Sequence, residues 1–135
     1  MIHLKEWNNK EGFDLMIDGQ CMAVSNYYWR RRPTIKDKQV SAKEMRRQIY
    51  ITGVESFKIG CGTLLMQSII EHFTNRKNTK KCRLGYSLDY LWLSVTIDNH
   101  RAIGLYKKCG FEIDEVHGVT TTDTDEPHYM MYKKL

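Results

Sequence analysis

The chain opens on short runs in which apolar and polar positions alternate. Ile2 to Trp7 alternates well enough for an edge strand. Phe13 to Ile17, then Asp18-Gly19, then Cys21 to Trp29 predicts a hairpin, because Asp-Gly between two β-prone runs is among the strongest short-range turn signals. Residues 30 to 46 are polar and basic and are broken by Pro33, so a long loop is expected there, with a helical turn near Ala42 to Arg47. Ile49 to Val54 is β-branched and aromatic and predicts a strand, followed by a short link from Glu55 to Cys61.

The period then changes. Leu65, Ile69 and Phe73 recur at helical spacing between Thr63 and Phe73, with Leu64 and Ile70 widening the stripe. This predicts an amphipathic helix of about three turns. Asn75 to Leu88 is basic and polar and reads as a connection. Tyr90 to Val95 predicts another strand, with Leu91, Leu93 and Val95 on one face. Asp98 or Asn99 suits the cap of a following helix, in which Ala102, Leu105, Tyr106 and Cys109 share a side and Gly110 stands at the end. Phe111 to Val116 and His128 to Lys133 read as closing strands around a Thr/Asp-rich loop from Gly118 to Pro127. Strands, then strand–helix–strand–helix, then two strands make an α/β domain around one mixed sheet with helices on its faces.

Composition narrows the class. The 135 residues are 41% hydrophobic and 27% charged, which suits one ordered domain over residues 1–135. No apolar run approaches the roughly 20 residues that span a bilayer, so no membrane partner is expected. Met1 to Trp7 lacks the layout of a secretory signal, and a cytoplasmic location is expected. Cys21, Cys61, Cys82 and Cys109 are widely spaced and read as reduced thiols, several of them buried; neither they nor the five histidines show metal-ligand spacing.

The formal net charge is +5, and much of it lies in Arg30, Arg31, Arg32, Lys36, Lys38, Lys43, Arg46 and Arg47, against Asp37 and Glu44. Such a patch suits nucleic acid, an acidic protein or the phosphates of a cofactor, and equally a solvated loop.

Chemistry is written in two places. In the first, Val54-Glu55-Ser56-Phe57-Lys58-Ile59-Gly60-Cys61-Gly62-Thr63, a strand runs through a glycine pair into a helix. Gly60 and Gly62 allow a tight turn and a close approach of backbone to ligand. The first-turn amides and the helix dipole then favour an anion such as pyrophosphate, with Lys58 adding a point charge. The pattern is neither a Walker loop nor a full G-x-G-x-x-G, and a turn that binds nothing has the same sequence needs.

The second place is Asn99-His100-Arg101-Ala102-Ile103-Gly104-Leu105-Tyr106-Lys107-Lys108-Cys109-Gly110-Phe111. It resembles the N-x-x-A-x-x-L-Y-x-x-x-G-F signature of the GCN5-related N-acetyltransferase (GNAT) superfamily. With the upstream glycine pair and a closing run from His128 to Leu135 like the family's last strand, the resemblance covers roughly residues 49 to 135. It implies a GNAT-like, mostly antiparallel sheet with helices on both faces. It also implies an acyltransferase that moves acetyl from acetyl-coenzyme A (acetyl-CoA) to a primary amine of a small molecule or protein.

The cofactor would lie in a splayed cleft between Ile49–Val54 and Leu91–Val95. Backbone groups near Val54 would bond the pantetheine arm and polarise the thioester carbonyl. Amides of Gly60, Cys61, Gly62 and Thr63 would hold the pyrophosphate, and Asn99 would contact the pantetheine side. Tyr106 matches the family's general acid, supplying a proton to the leaving sulfur; otherwise it packs on the sheet with its hydroxyl bonded. Glu55 is the leading candidate for general base, with His117 a weaker one, and a solvated Glu55 is the plainer alternative.

The sequence departs from the family in two respects. Phe57 stands where the family's longer glycine loop carries Arg or Gln. Between Asn8 and Gly12 there is no room for the two helices that normally follow the first strand, so the N-terminal helices are reduced or missing and residues 30 to 47 are expected to form that wall. Asp114, Glu115, Asp123, Asp125 and Glu126 surround the last hairpin loop, where they would attract a cationic amine or simply keep a loop polar. Arg30, Arg31, Arg32, Arg46 and Arg47 would suit an acidic acceptor instead, and the resemblance extends to toxins that acetylate aminoacyl-tRNA. A non-catalytic module that keeps the fold is the remaining alternative, and an exposed last strand would support a homodimer.

Overall fold

The structure, a computed structural model, describes residues 1–32, 46–79, 86–115, 118–121 and 126–135. Its elements in chain order are β1 (Ile2–Glu6), β2 (Gly12–Ile17), β3 (Gln20–Arg32), β4 (Arg46–Ser56), α1 (Cys61–Thr79), β5 (Tyr86–Thr96), α2 (His100–Lys108), β6 (Glu112–Ile113), β7 (Val119–Thr121) and β8 (Pro127–Lys134). The strands form one sheet of order β1-β2-β3-β4-β5-β8-β6, with β7 also on β8. All pairs are antiparallel except β4 with β5.

The predicted first hairpin is present. Asp18 and Gly19 take φ of 48° and 82°, the two positive angles of a type I′ turn, and Ile17 pairs with Gln20 to close it. Between β1 and β2 there is only a turn, closed by Trp7 N–H to the Gly12 carbonyl at 2.9 Å and Lys10 N–H to the Trp7 carbonyl at 2.9 Å. No helix follows the first strand.

Several boundaries differ from the sequence reading. β3 and β4 run on to the pair Arg32–Arg46, so the basic residues flanking the expected loop are strand, and Arg46 and Arg47 are not helical. The rest of that segment, 33–45, lies outside the described residues, as do Cys82, Val116 and His117. α1 is 19 residues long and takes in Asn75 to Thr79, which reads as a connection in the sequence. Those last turns are polar and carry Arg76 and Lys77, cations that suit a helix C-terminus but leave no apolar stripe to read. The closing strands also redistribute: β6 is two residues long, and β7 falls inside the expected loop.

Helix α1 buries Cys61, Leu65, Met66, Ile69 and Phe73 against Phe13, Leu15, Ala23, Tyr27, Ile49, Ile51, Leu91 and Leu93 of the sheet. Met66 is buried and Ile70 packs partly buried against the cluster, whereas Leu64 is exposed, so the stripe widens on the Ile70 side only. Ile103, Leu105 and Tyr106 of α2 join the same cluster. A second cluster, Tyr50, Trp92, Met130 and Tyr132, is built from strands, with Trp92 Nε1 donating to buried Gln48 Oε1. No described helical residue joins that second cluster.

Phe73 is fully buried, edge-on to Phe13 at 5.7 Å and Tyr27 at 5.2 Å. Phe73→Ala removes a ring that fills the space between α1 and two strands. A loss of about 3–5 kcal/mol is expected, read as a lowered urea midpoint at unchanged slope.

Candidate active site

The site begins where two parallel strands part. β4 and β5 are in register at Ile49–Leu91 and Tyr50–Trp92, and no later pair joins them. Beyond that point β4 stays tied to β3 as far as Ser56–Ala23, and β5 stays tied to β8 as far as Thr96–His128. Each strand follows its outer neighbour, and a gap opens between them. On the face of the second cluster Tyr50 Oη donates to Ser94 Oγ at 2.7 Å, pinning the strands at the point of separation.

A bulge in β4 shapes the opening. Val24 pairs with Glu55 and Asn26 with Thr52, so Gly53 and Val54 stand opposite the single residue Ser25. Gly53 takes φ of 56°, which a residue with a side chain rarely adopts. The extra residue breaks the β3 ladder locally and frees backbone polar groups near Val54. Ser25, fully buried, sends its hydroxyl to the Asn26 and Thr52 carbonyls at 3.2 and 3.4 Å.

The gap continues as a cleft of about 460 Å³. One wall is Val54, Ser56 and the loop Phe57 to Gly60, its end is Gly62 and Thr63 of α1, and the other wall is Asn99, Arg101, Ala102, Leu105 and Tyr106 of α2. The loop is a tight turn into α1. Cys61 N–H donates to the Lys58 carbonyl at 3.1 Å, Leu64 N–H to the Gly60 carbonyl at 3.3 Å, and Ser56 Oγ–H to the Lys58 carbonyl at 2.7 Å. The amides of Gly62 and Thr63 lie in the first turn, where no intrahelical acceptor exists, and the helix dipole adds to their partial positive charge. The walls meet at Gly62, whose α-carbon faces Ser56 and Leu105.

The structure therefore gathers Val54, Lys58, Gly60, Gly62, Thr63, Asn99 and Tyr106 around one cleft. Cys61 is adjacent, but its thiol is buried in the core and its amide is spent within the turn. Asn99 is the N-cap of α2, its Oδ1 accepting from Ala102 N–H at 3.2 Å. Burial, with a smaller contribution from Cys109, pushes the Tyr106 phenol above its ordinary range, so it holds its proton at neutral pH. Its ring lies 6.1 Å from that of Phe111.

Glu55 does not line the cleft. It is exposed and sits between Val54 and Ser56, which do, so strand alternation turns it to the other face of β4. His117 lies outside the described residues. Among the acidic residues expected to draw a cationic amine, Asp114 is fully buried, with its backbone N–H on the Met130 carbonyl at 2.8 Å. It does not belong to an exposed acidic patch. Glu115 and Glu126 are exposed, and Asp123 and Asp125 lie outside the described residues. The last strand is not exposed at an edge either: β8 has β5 on one side and β6 and β7 on the other, which removes the ground for a dimer through it.

As site residues, sequence reading missed Ser56, Phe57, Ile59, Arg101, Ala102 and Leu105. Phe57 and Ile59 are 57% and 91% exposed while lining the cleft, and no periodicity marks loop residues. Arg101 had a signal, since it falls in the first turn of the capped helix that forms one wall.

A larger cavity, about 690 Å³, lies towards the other end of α1, between Glu6, Tyr27, Trp29, His72 and Arg76. There Glu6 is the hub: Tyr27 Oη donates to it at 2.7 Å, Lys10 Nζ at 3.1 Å, and His72 Nε2 lies 3.7 Å away. Burial raises the Glu6 carboxyl, but the bonds from Tyr27 and Lys10 outweigh it and hold the group below its usual range. These groups bond one another, whereas Gly62 and Thr63 of the first turn, Lys58, Arg101 and Tyr106 all line the smaller cleft. The smaller cleft is therefore the candidate active site.

No family model and no curated protein matches the chain by sequence. Solved structures do match it by shape. An acetyltransferase of the GNAT family from Streptococcus pneumoniae superposes with a TM-score of 0.59 at 21% identity, covering 92% of this chain and 66% of its own. An aminoglycoside acetyltransferase, AAC(6')-Ib, in complex with coenzyme A and kanamycin, gives 0.59 at 18% identity, covering 91% and 65%. A Bacillus subtilis acetyltransferase in complex with coenzyme A gives 0.58 at 15% identity and covers 99% of this chain and 97% of its own. The chain thus spans slightly less than two thirds of the first two. With the strands parting over a glycine turn, the mixed sheet and the capped second helix, these superpositions establish that the chain has the fold of the GNAT acetyltransferases.

Proposed function

We propose that the chain binds acetyl-CoA in the cleft between β4 and β5 and transfers the acetyl group to a primary amine of a small molecule or protein. The observation that carries this reading is that the Gly62 and Thr63 amides and the Tyr106 phenol line one cleft at the point where the strands part. An anion-binding helix end and a neutral proton donor on a facing wall suit a molecule with a pyrophosphate at one end and a thioester at the other. The neighbours in fold add support, since two of the three are complexes with coenzyme A.

Acetyl-CoA supplies the acetyl group as a thioester. In this reading the chain's own residues bind, orient and move protons. The amides of Gly62 and Thr63 hold phosphate oxygens, with Lys58 and Arg101 flanking them from the two walls and replacing the cation missing at Phe57. Backbone groups at the Gly53–Val54 bulge meet the arm and the carbonyl, where a fixed dipole costs no reorganisation. Transfer requires one proton off the attacking ammonium, whose pKa is about 10.4, a further one off the same nitrogen to water once its bond to the acetyl carbon forms, and one onto the sulfur as the C–S bond breaks. Tyr106 Oη holds the proton for the sulfur. Glu55 receives the first from an amine that approaches on the face of β4 turned away from the cleft.

Calorimetric titration with acetyl-CoA tests the cofactor site, and thiol release in the presence of polyamines, aminoglycosides or peptide N-termini tests transfer. Saturable binding in the micromolar to millimolar range and amine-dependent thiol release are expected. Absence of binding at about millimolar cofactor overturns the site. Binding without thiol release for any amine would favour a non-catalytic module.

A further inference from the structure

The far end of the β3–β4 hairpin carries a chemistry that the cleft does not use. Three successive cross-strand pairs there are Arg30–Gln48, Arg31–Arg47 and Arg32–Arg46, so five of six positions are arginine. Two of the pairs place arginine opposite arginine in the register. Neither 27–32 nor 46–52 contains an acidic residue.

Aromatic groups lie beside the arginines. Strand alternation puts Tyr28, Arg30 and Arg32 at positions on one face of the hairpin, opposite Tyr50, Gln48 and Arg46. Tyr50 is nearly buried and fixed by its bond to Ser94, which makes it a rigid base. The Tyr28 ring lies 5.4 Å from that of Tyr50 and is 43% exposed. The exposed Arg30 guanidinium lies 4.8 Å over the Tyr50 ring. An open π-face and a cation are thus held side by side at the start of the arginine ladder.

We propose that this end of the hairpin is a binding surface for single-stranded nucleic acid, with phosphates on the arginine ladder and a base stacked on Tyr28. An acidic peptide would use the charges but not the exposed ring, and a duplex hides the base faces that the ring would meet. Six residues of strand separate Gln48 from Val54, about 20 Å, so the surface is distinct from the cleft. It does not depend on acetyl transfer.

Fluorescence polarisation with a labelled single-stranded RNA, competed by polyglutamate, tests the surface directly. Saturable binding is expected at about 50 mM salt, with log affinity falling linearly against log salt concentration. Tyr28→Ala should weaken RNA binding about 5- to 100-fold and leave polyglutamate binding unchanged. The double variant Arg32→Ser, Arg46→Ser should weaken RNA binding at least about tenfold and lower the salt slope by about 1.4. An unchanged thermal midpoint shows that the lost binding is not a lost fold. No RNA binding at low salt overturns the proposal. So does a Tyr28→Ala variant that binds RNA as before while polyglutamate competes equally well, an outcome that would assign the surface to an acidic protein. Acetyl-CoA titration of the same variants should be unaffected, which separates this surface from the cofactor site.

Discussion

Gly62→Asp is expected to remove acetyl-CoA binding from a protein that still folds. A β-carbon at this position would lie 3.4 Å from Leu105 Cδ1 and 3.6 Å from Ser56 Cβ, which is ordinary contact. Sterics alone therefore predict a mild effect, and Gly62→Ala is the control for them. Aspartate adds a negative charge in the first turn, beside the amides assigned to the pyrophosphate. At about 4 Å and an effective dielectric near 20, the repulsion between unit charges is about 4 kcal/mol. Screening at an open cleft reduces this, and a loss of at least about 100-fold in affinity remains, against less than about tenfold for alanine. Gly60 is a poorer choice, because its φ of 87° makes any side chain there strained and mixes folding with binding. Calorimetry gives the affinities, and a thermal melt shows whether aspartate has cost the fold. If the aspartate and alanine variants bind acetyl-CoA alike, the helix end is not the phosphate site.

What the sequence discloses about this chain follows from where its signals are strong. Asp18-Gly19 fixes the first hairpin because only a few residue pairs tolerate two positive φ angles, and Asn99 marks the start of α2 because a side chain must satisfy Ala102 N–H. The run from Asn99 to Phe111 identifies one wall of the cleft. Where patterns are silent, boundaries drift. Asn75 to Thr79 is helix without an apolar stripe, and Arg46 and Arg47 are strand although neither alternates with an apolar neighbour. Pairing decides these residues, and pairing is non-local. The bulge at Gly53–Val54 is equally hidden, since it depends on β3 offering one residue against two. Glu55 shows the limit most plainly. Its position at the end of β4 makes it a candidate base, and a single step along the strand turns its side chain to the face away from the cleft. Asp114 shows the complementary error, because acidic composition reads as exposure until the fold buries the residue completely.

Tyr106→Phe is expected to separate chemistry from binding. The ring remains, and with it the contact to Phe111 and the share of Tyr106 in the core, so stability and cofactor affinity should change little. Only Oη is lost. If that oxygen holds the proton that the departing sulfur needs, kcat falls about 100- to 10,000-fold while the dissociation constant of acetyl-CoA stays within about threefold. The pH profile gives a second readout. Burial holds the Tyr106 phenol above its ordinary value of about 10, so its proton is retained throughout the neutral range and lost only as pH rises through the raised value. The wild-type rate should therefore show an alkaline decline above about pH 10, and the phenylalanine variant should lack it. The same sign governs stability: the neutral phenol's contribution is complete below the ordinary phenol pKa and disappears as pH rises past the raised one. An unchanged kcat in Tyr106→Phe would leave the hydroxyl a packing group and return the proton to solvent. A kcat that falls together with a collapsed affinity would show instead that Tyr106 shapes the pocket, since a pure proton donor acts only once the cofactor is bound.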